Sequence, residues 1–268
     1  MNRPYEWKSA PVAEFAVIGD PISHSLSPRM HLAAYRALNL NYEYVAIRVD
    51  QGEVELALKH LKELGYRGVN VTVPHKPEAF RVVASTDETS RRIGASNTID
   101  LSSMNGINTD VSGFAETLME RTDIRRALVF GAGGSARAVV LALYELGIDI
   151  TIFNRTLSRA INLLSDLGIK ASIADKPALS RFDLVVNATS ASLDGKTIQL
   201  DWAGASENTI AYDLSYSESG LTPFLLEAKV RGLKFMDGKP LLVAQGARSF
   251  EYWLGISAPR NVMMESIQ

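Results

Sequence analysis

Short β-branched runs alternate with amphipathic stretches along nearly the whole chain. That alternation is the pattern of an α/β protein built on parallel sheets. In the first half it predicts strands at Phe15–Ile18, Tyr42–Val49 and Gly68–Val73, the last with Val69, Val71 and Val73 on one face. A helix runs from Pro28 to Leu38, with Ser27 as N-cap and proline at the first helical position. Another covers Glu53 to Leu64 and stops at Gly65. A hairpin spans Asn97 to Asp110, turning at SSMNG, and a helix follows over Val111–Arg121. The polar stretch RTDIRR then precedes a strongly apolar strand, Ala127–Phe130, and places a domain boundary between residues 121 and 122.

The second half repeats strand and helix more strictly. Strands are predicted at Ile150–Phe153, Leu184–Asn187, Ile210–Leu214 and Lys234–Met236, with helices at Ser135–Leu146, Thr156–Leu167 and Thr222–Arg231 between them. From Pro240 a long helical pattern resumes. The expected organisation is residues 1–121, residues 122–237, and helices over 238–268 that return to the first domain.

Composition narrows the function classes. With 46% hydrophobic and 22% charged residues in a chain of 268, a full core can be buried. A net charge of -2 argues against nucleic-acid and membrane-surface partners, which call for a basic excess. The absence of cysteine removes disulfides, thiolate metal sites and cysteine nucleophiles, and fits a reducing compartment. MNRPYEWKSAPVAEF has no apolar stretch of signal-peptide length, and the cytoplasm is the expected location. No His/Asp/Glu grouping has metal-ligand spacing, so no metal is expected.

In ALVFGAGGSARAVVLAL, Gly131, Gly133 and Ala136 form G-x-G-x-x-A directly after a strand and at the opening of a helix. Such a turn lets the backbone approach a diphosphate, which the helix N-terminus attracts. The strand–turn–helix context makes this a dinucleotide site of Rossmann type. NAD sites carry an acid about 20 residues beyond the turn. Here Asn154 and Arg155 stand in its place. Arg155 and Arg159 fall in the first turns of a helix, where the macrodipole disfavours cations. The bland alternative is two solvated arginines; a 2′-phosphate makes both favourable, and NADP is expected over NAD.

The first half supplies candidate chemistry near strand ends: GDPISHSLSPRMH, NVTVPHK, GASNT and GINTD. Each has a structural alternative, since Asn97 and Asn108 suit turns and Asp110 suits a helix cap. Lys76 is set in the step PHKP, where two prolines limit the backbone. His24 and His75 are expected to face solvent or support loops.

Taken in order, GDPISHSLSP, GVNVTVPHK, IGASNT, GINTDVSGF, GAGGSAR, NRT, NATS and GKPLLVAQGARSFEYWLG closely resemble the shikimate dehydrogenase family, essentially end to end. The resemblance implies an N-terminal α/β substrate domain completed by the C-terminal helices, with a doubly wound NADP domain inserted. It also implies reversible reduction of 3-dehydroshikimate to shikimate in aromatic amino-acid biosynthesis, by a monomer or homodimer. By position, Ser25 and Ser27 match the ligands of the substrate carboxylate, and Thr72, Asn97, Gln245 and Tyr216 those of the ring substituents. Lys76 and Asp110 match the catalytic pair. Gly131, Ala132, Gly133, Gly134 and Ser135 match the diphosphate turn, and Asn154, Arg155, Thr156 and Arg159 the adenosine phosphate site. Thr189, Leu214 and Gly238 match the route to the nicotinamide. Two stretches depart from the family pattern. After NATS it continues with a variable residue, glycine and methionine, where this chain has Ala191, Ser192 and Leu193; and SESGLTP after Tyr216 lacks an early proline. Alternative readings are an enzyme acting mainly on quinate or another hydroxylated ring acid, and a non-catalytic NADP-binding sensor.

Overall fold

The computed structural model describes residues 4–189, 191–192, 198, 200–202, 204–217 and 220–268. The chain divides into two compact units, Met1–Thr109 with Leu242–Gln268, and Asp110–Leu241.

The first unit contains β1 (Tyr5–Glu6), β2 (Phe15–Gly19), α1 (Ser27–Ala37), β3 (Tyr44–Arg48), α2 (Val54–Glu63), β4 (Gly68–Val71), α3 (Lys76–Val82), β5 (Ser85–Thr86), α4 (Glu88–Ile93), β6 (Thr98–Asp100) and β7 (Asn105–Ile107). They form one sheet in the order β1-β3-β2-β4-β6-β7-β5. Strands β1 to β4 are parallel, and the β6–β7 hairpin adds antiparallel to β4. Every residue of β2 is buried, as its central place requires.

The second unit comprises α5 (Asp110–Thr117), β8 (Arg126–Phe130), α6 (Gly134–Glu145), β9 (Asp149–Phe153), α7 (Leu157–Leu167), β10 (Ser172–Ile173), β11 (Leu184–Asn187), β12 (Ile210–Asp213), α8 (Pro223–Val230) and β13 (Lys234–Met236). Its sheet is wholly parallel in the order β10-β9-β8-β11-β12-β13. Strand order therefore reverses between β8 and β11, the switch point where doubly wound sheets take ligands. α9 (Lys239–Leu254) begins in this unit and continues into the first, which α10 (Arg260–Ser266) completes. In the first unit Trp253 of α9 stacks on Phe15 (4.9 Å between ring centroids) and donates to the Ile99 carbonyl at 3.1 Å. Gly68 makes room for it, since a Cβ there would stand 2.5 Å from the indole.

Three local expectations change. β4 ends at Val71, and Val73 is 46% exposed. The chain turns there, with His75 N bonded to Thr72 O (2.9 Å) and a cis Val73–Pro74 bond. Ser27 does not cap α1 but opens it: Leu26 already has helical φ and ψ, and Ser25 Oγ accepts from Ser27 N at 3.3 Å. Helix α5, placed before the boundary by the polar break at RTDIRR, belongs with the second unit. Phe114 stacks on Tyr212 of β12 at 5.4 Å, and the Tyr212 hydroxyl donates to Thr117 Oγ1.

Candidate functional site

In the first unit the candidate residues are gathered around Asn97, which is 1% exposed. Its carbonyl accepts from Val71 N at 2.8 Å, which puts Thr72 one residue beyond the contact. Its amide donates to Thr109 Oγ1 (2.9 Å) and Gln245 Oε1 (3.3 Å), while its Oδ1 accepts from Thr109 N (2.9 Å). The neighbouring Ser96 N donates to the carbonyl of Lys76 at 3.1 Å. Gln245 is therefore tied to Asn97 and the Lys76 backbone to the residue beside it, while Thr72 follows the residue bonded to Asn97. Asp110 follows Thr109 directly in the chain and opens α5. Thr72 packs into the space left by Gly19, where a Cβ would lie 2.5 Å from its methyl.

Beneath this cluster lies a buried polar layer. Asn70 accepts from Tyr44 OH (2.7 Å) and donates to Asn97 O, Thr98 Oγ1 and Ser249 Oγ (3.2, 3.2 and 2.9 Å). With each buried polar group partnered, the layer holds one arrangement of β4, β6 and α9.

Lys76 is mounted firmly. It opens α3, with Pro77 in the first turn. His75 is buried and donates from Nε2 to the Val49 carbonyl at 2.8 Å, so of the two loop histidines only His24 is exposed. The Glu78 carboxylate accepts from Gly52 N and Val54 N, both at 3.1 Å, at the start of α2. A cation at a helix N-terminus opposes the macrodipole, so the helix itself does not favour Lys76 there. Ser25 and Ser27 lie together at the start of α1 through their hydrogen bond.

In the second unit β8 runs into the glycine turn. Gly131 adopts φ +111, and a Cβ there would meet Ala188 O at 3.0 Å and the Thr189 methyl at 3.2 Å. A side chain is thus excluded twice, by strain and by space. A Cβ added at Gly133 or Gly134 would meet no atom within 4 Å, which leaves an open cradle at the N-terminus of α6. Ala132 and Ser135 complete the turn, half-buried. β9 ends at Phe153 with no acid after it; Asn154 donates to Thr156 O at 2.8 Å, and Arg155 and Arg159 project exposed at the start of α7. A diphosphate and a 2′-phosphate fit these two features.

At the neighbouring strand ends, Thr189 bonds through N and Oγ1 to Asn187 Oδ1 (3.0 and 2.7 Å). Gly238 donates to Ser215 O at 3.1 Å, and any side chain at Gly238 would collide with the Leu214 carbonyl. Tyr216 follows β12, half-buried. Of the two departing stretches, Leu193, Glu218 and Ser219 lie outside the described residues. Sequence reasoning missed the group behind these residues: Asp213, fully buried at the end of β12, accepts from Ser192 Oγ (2.6 Å), Thr222 Oγ1 (2.7 Å), Ser215 N (3.0 Å) and Asn187 Nδ2 (3.2 Å). An acid closing the apolar strand Ile210–Asp213 was its one signal. Among the described residues no His/Cys/Asp/Glu group is arranged to hold a metal ion, and no helix is long and apolar enough to cross a membrane.

Three family models cover the chain: the shikimate dehydrogenase substrate binding domain over residues 17–99, shikimate / quinate 5-dehydrogenase over 113–197, and the shikimate 5'-dehydrogenase C-terminal domain over 240–268. The NADP(+) shikimate dehydrogenase of Nitrosopumilus maritimus is 38% identical over 94% of this chain and 97% of its own length. The shikimate dehydrogenase structure from Aquifex aeolicus superposes with a TM-score of 0.87 at 32% identity, over 99% of this chain and 98% of that one. The shikimate 5-dehydrogenase of Thermus thermophilus, solved in complex with NADP(H) and shikimate, gives 0.84 at 36% identity, over 94% and 97%. The likeness runs through both units, and the chain belongs to the shikimate dehydrogenase family.

Proposed function

We propose that this protein is a cytoplasmic NADP-dependent shikimate dehydrogenase, which reduces 3-dehydroshikimate reversibly to shikimate in aromatic amino-acid biosynthesis. The observation that supports the reading is the bond of Gln245 to Asn97, with the backbones of Val71 and Lys76 bonded to Asn97 and Ser96, in a chain whose other unit bears the glycine turn and Arg155. Hydroxyls and amides suit a polyhydroxylated ring, and a single cation among them suits its one oxygen that must change protonation.

Gly131, Ala132, Gly133, Gly134 and Ser135 hold the diphosphate of NADP, Asn154, Arg155, Thr156 and Arg159 the adenosine phosphate, and Thr189, Leu214 and Gly238 the approach to the nicotinamide. Bound NADPH supplies the hydride. Ser25 and Ser27 donate to the substrate carboxylate, and Thr72, Asn97, Gln245 and Tyr216 orient the ring. As the carbonyl carbon is reduced, Lys76 Nζ gives a proton to its oxygen and stabilises the developing charge. Asp110 accepts from the substrate hydroxyl and keeps substrate and lysine in register. In the oxidising direction neutral Lys76 takes that proton back.

The test is the rise in absorbance on NADP reduction with shikimate and with quinate offered separately. The family description includes quinate, whose added hydroxyl sits on the carbon bearing the carboxylate, against Ser25 and Ser27. Rapid reduction with shikimate is expected. Rapid reduction with quinate alone moves the protein to the quinate class, and NADP binding with neither substrate turned over leaves a sensor.

A further inference from the structure

At the carboxyl edge of the second sheet, β8, β11 and β12 lie side by side, with Asn187 in register with Phe130 on one flank and with Asp213 on the other. Asp213 is 0% exposed, yet both its oxygens are engaged. Oδ1 accepts from Ser215 N and Asn187 Nδ2, and Oδ2 from Ser192 Oγ and Thr222 Oγ1. All four partners donate, so the arrangement is built for the carboxylate form. Burial nonetheless pushes its pKa above the ordinary aspartate value, against the pull of those donors. A chain does not bury such a group without a return in geometry.

What the carboxylate holds is informative. By drawing Asn187 Nδ2 toward itself, Asp213 turns Asn187 Oδ1 toward Thr189, which bonds it through both N and Oγ1. Thr189 Oγ1 in turn accepts from Ala191 N at 3.2 Å. Ser192 bonds both Asp213 and Asn187 Nδ2 (3.0 Å), tying its own side chain to the ends of β11 and β12. Ser215 N fixes the turn that contains Leu214, and Thr222 is the N-cap of α8, accepting from Leu225 N at 3.4 Å. One carboxylate therefore pins the two loops carrying Thr189 and Leu214, and the serine that departs from the family's glycine is one of its ligands.

We propose that Asp213, with Ser192 as a partner where the family pattern has glycine, is a positioning residue for the nicotinamide half of the bound cofactor. The inference rests on the NADP reading above. It concerns the Thr189 and Leu214 loops only, since the adenosine phosphate residues lie on the opposite side of β8, after β9.

The test measures binding by titration calorimetry for the unaltered protein, Ser192→Ala and Asp213→Asn, with two probes: NADP+, and adenosine 2′,5′-bisphosphate, which lacks the nicotinamide half. In both variants the dissociation constant for NADP+ is expected to rise about 5- to 30-fold, the worth of one or two buried hydrogen bonds. That for the bisphosphate should stay within about twofold, and kcat should fall while the KM for shikimate holds. NADP+ binding unchanged in Ser192→Ala overturns the role given to Ser192, and unchanged in both overturns the proposal. Equal weakening of both probes also overturns it, because the network then merely supports the unit. Should Asp213→Asn fail to fold, Ser192→Ala decides. An unaltered protein that binds neither probe refutes the NADP reading itself, a distinguishable result.

Discussion

Replacing His31 by phenylalanine should make the first unit markedly less sensitive to acid. His31 is 0% exposed, stacked on the Tyr44 ring at 4.3 Å with the planes 3° apart, and neither ring nitrogen has a hydrogen-bond partner among the described residues. Burial lowers its pKa from 6.5 to about 3. The folded state thus keeps the imidazole neutral while the unfolded chain takes up a proton below pH 6.5. The unfolded state binds more protons between those values, so this contribution to stability is full above pH 6.5 and is lost as pH falls toward 3. Each unit costs about 1.4 kcal/mol, hence about 2 kcal/mol by pH 5. Phenylalanine keeps the stacked ring and removes the proton site. Urea stability of both proteins, read by amide exchange of β2 so that the first unit alone is followed, should be compared at pH 7.5 and 5.0. Carboxylates common to both cancel in the difference. The stability difference should move by about 2 kcal/mol in favour of the variant on acidification; one that does not move with pH refutes the argument that burial holds this ring neutral.

Other outcomes can be read in the enzyme assay. Lys76→Ala should lower kcat by about 10²–10⁴-fold with a much smaller change in shikimate KM; near-full kcat in a folded variant would remove the lysine from the mechanism. Asp110→Asn should lose a comparable amount, and the double variant far less than the product, because the two act as a unit. Arg155→Ala should raise the KM for NADP roughly tenfold or more while leaving that for NAD little changed. Shikimate should show the higher kcat/KM of the two ring acids, by a modest factor since a pocket rejects an added hydroxyl weakly; a higher value for quinate would reverse the substrate assignment.

The second unit was the more legible in sequence. Buried parallel strands read as continuous apolar runs, and β11 falls where the pattern puts it. The glycine turn also announced itself, because Gly131 takes a positive φ beside the Ala188 backbone, a place that favours glycine. Short elements were not visible: α3 and α4, of seven and six residues, span too few turns for a period to emerge. Ser27 looked like a cap because the rule reads residue type, whereas Leu26 had already entered helical geometry. The candidate residues of the first unit could be named by resemblance, but not the reason they meet. That depends on β6 pairing antiparallel with β4 and on Gln245 returning from the far end of the chain to Asn97, contacts that no local pattern encodes. Asp213 was missed for a related reason, since two of its four donors, Asn187 and Ser192, come from β11 and the residues after it, more than twenty positions away.

The discontinuity of the first unit sets an order of events during synthesis. Residues up to Thr109 leave the ribosome before the segment that completes their core, which begins at Leu242. At translation speeds of about 5–20 residues per second, the delay is on the order of 10 s. Throughout it, Phe15 and Gly68 lack the Trp253 indole, and Asn70 and Thr98 lack the Ser249 hydroxyl that joins their network. The intervening second unit is one unbroken stretch, Asp110–Leu241, and can condense as soon as it emerges. The cofactor half of this enzyme is thus free to mature first, while the substrate half waits, with an apolar face open to chaperones, for its last helices to arrive.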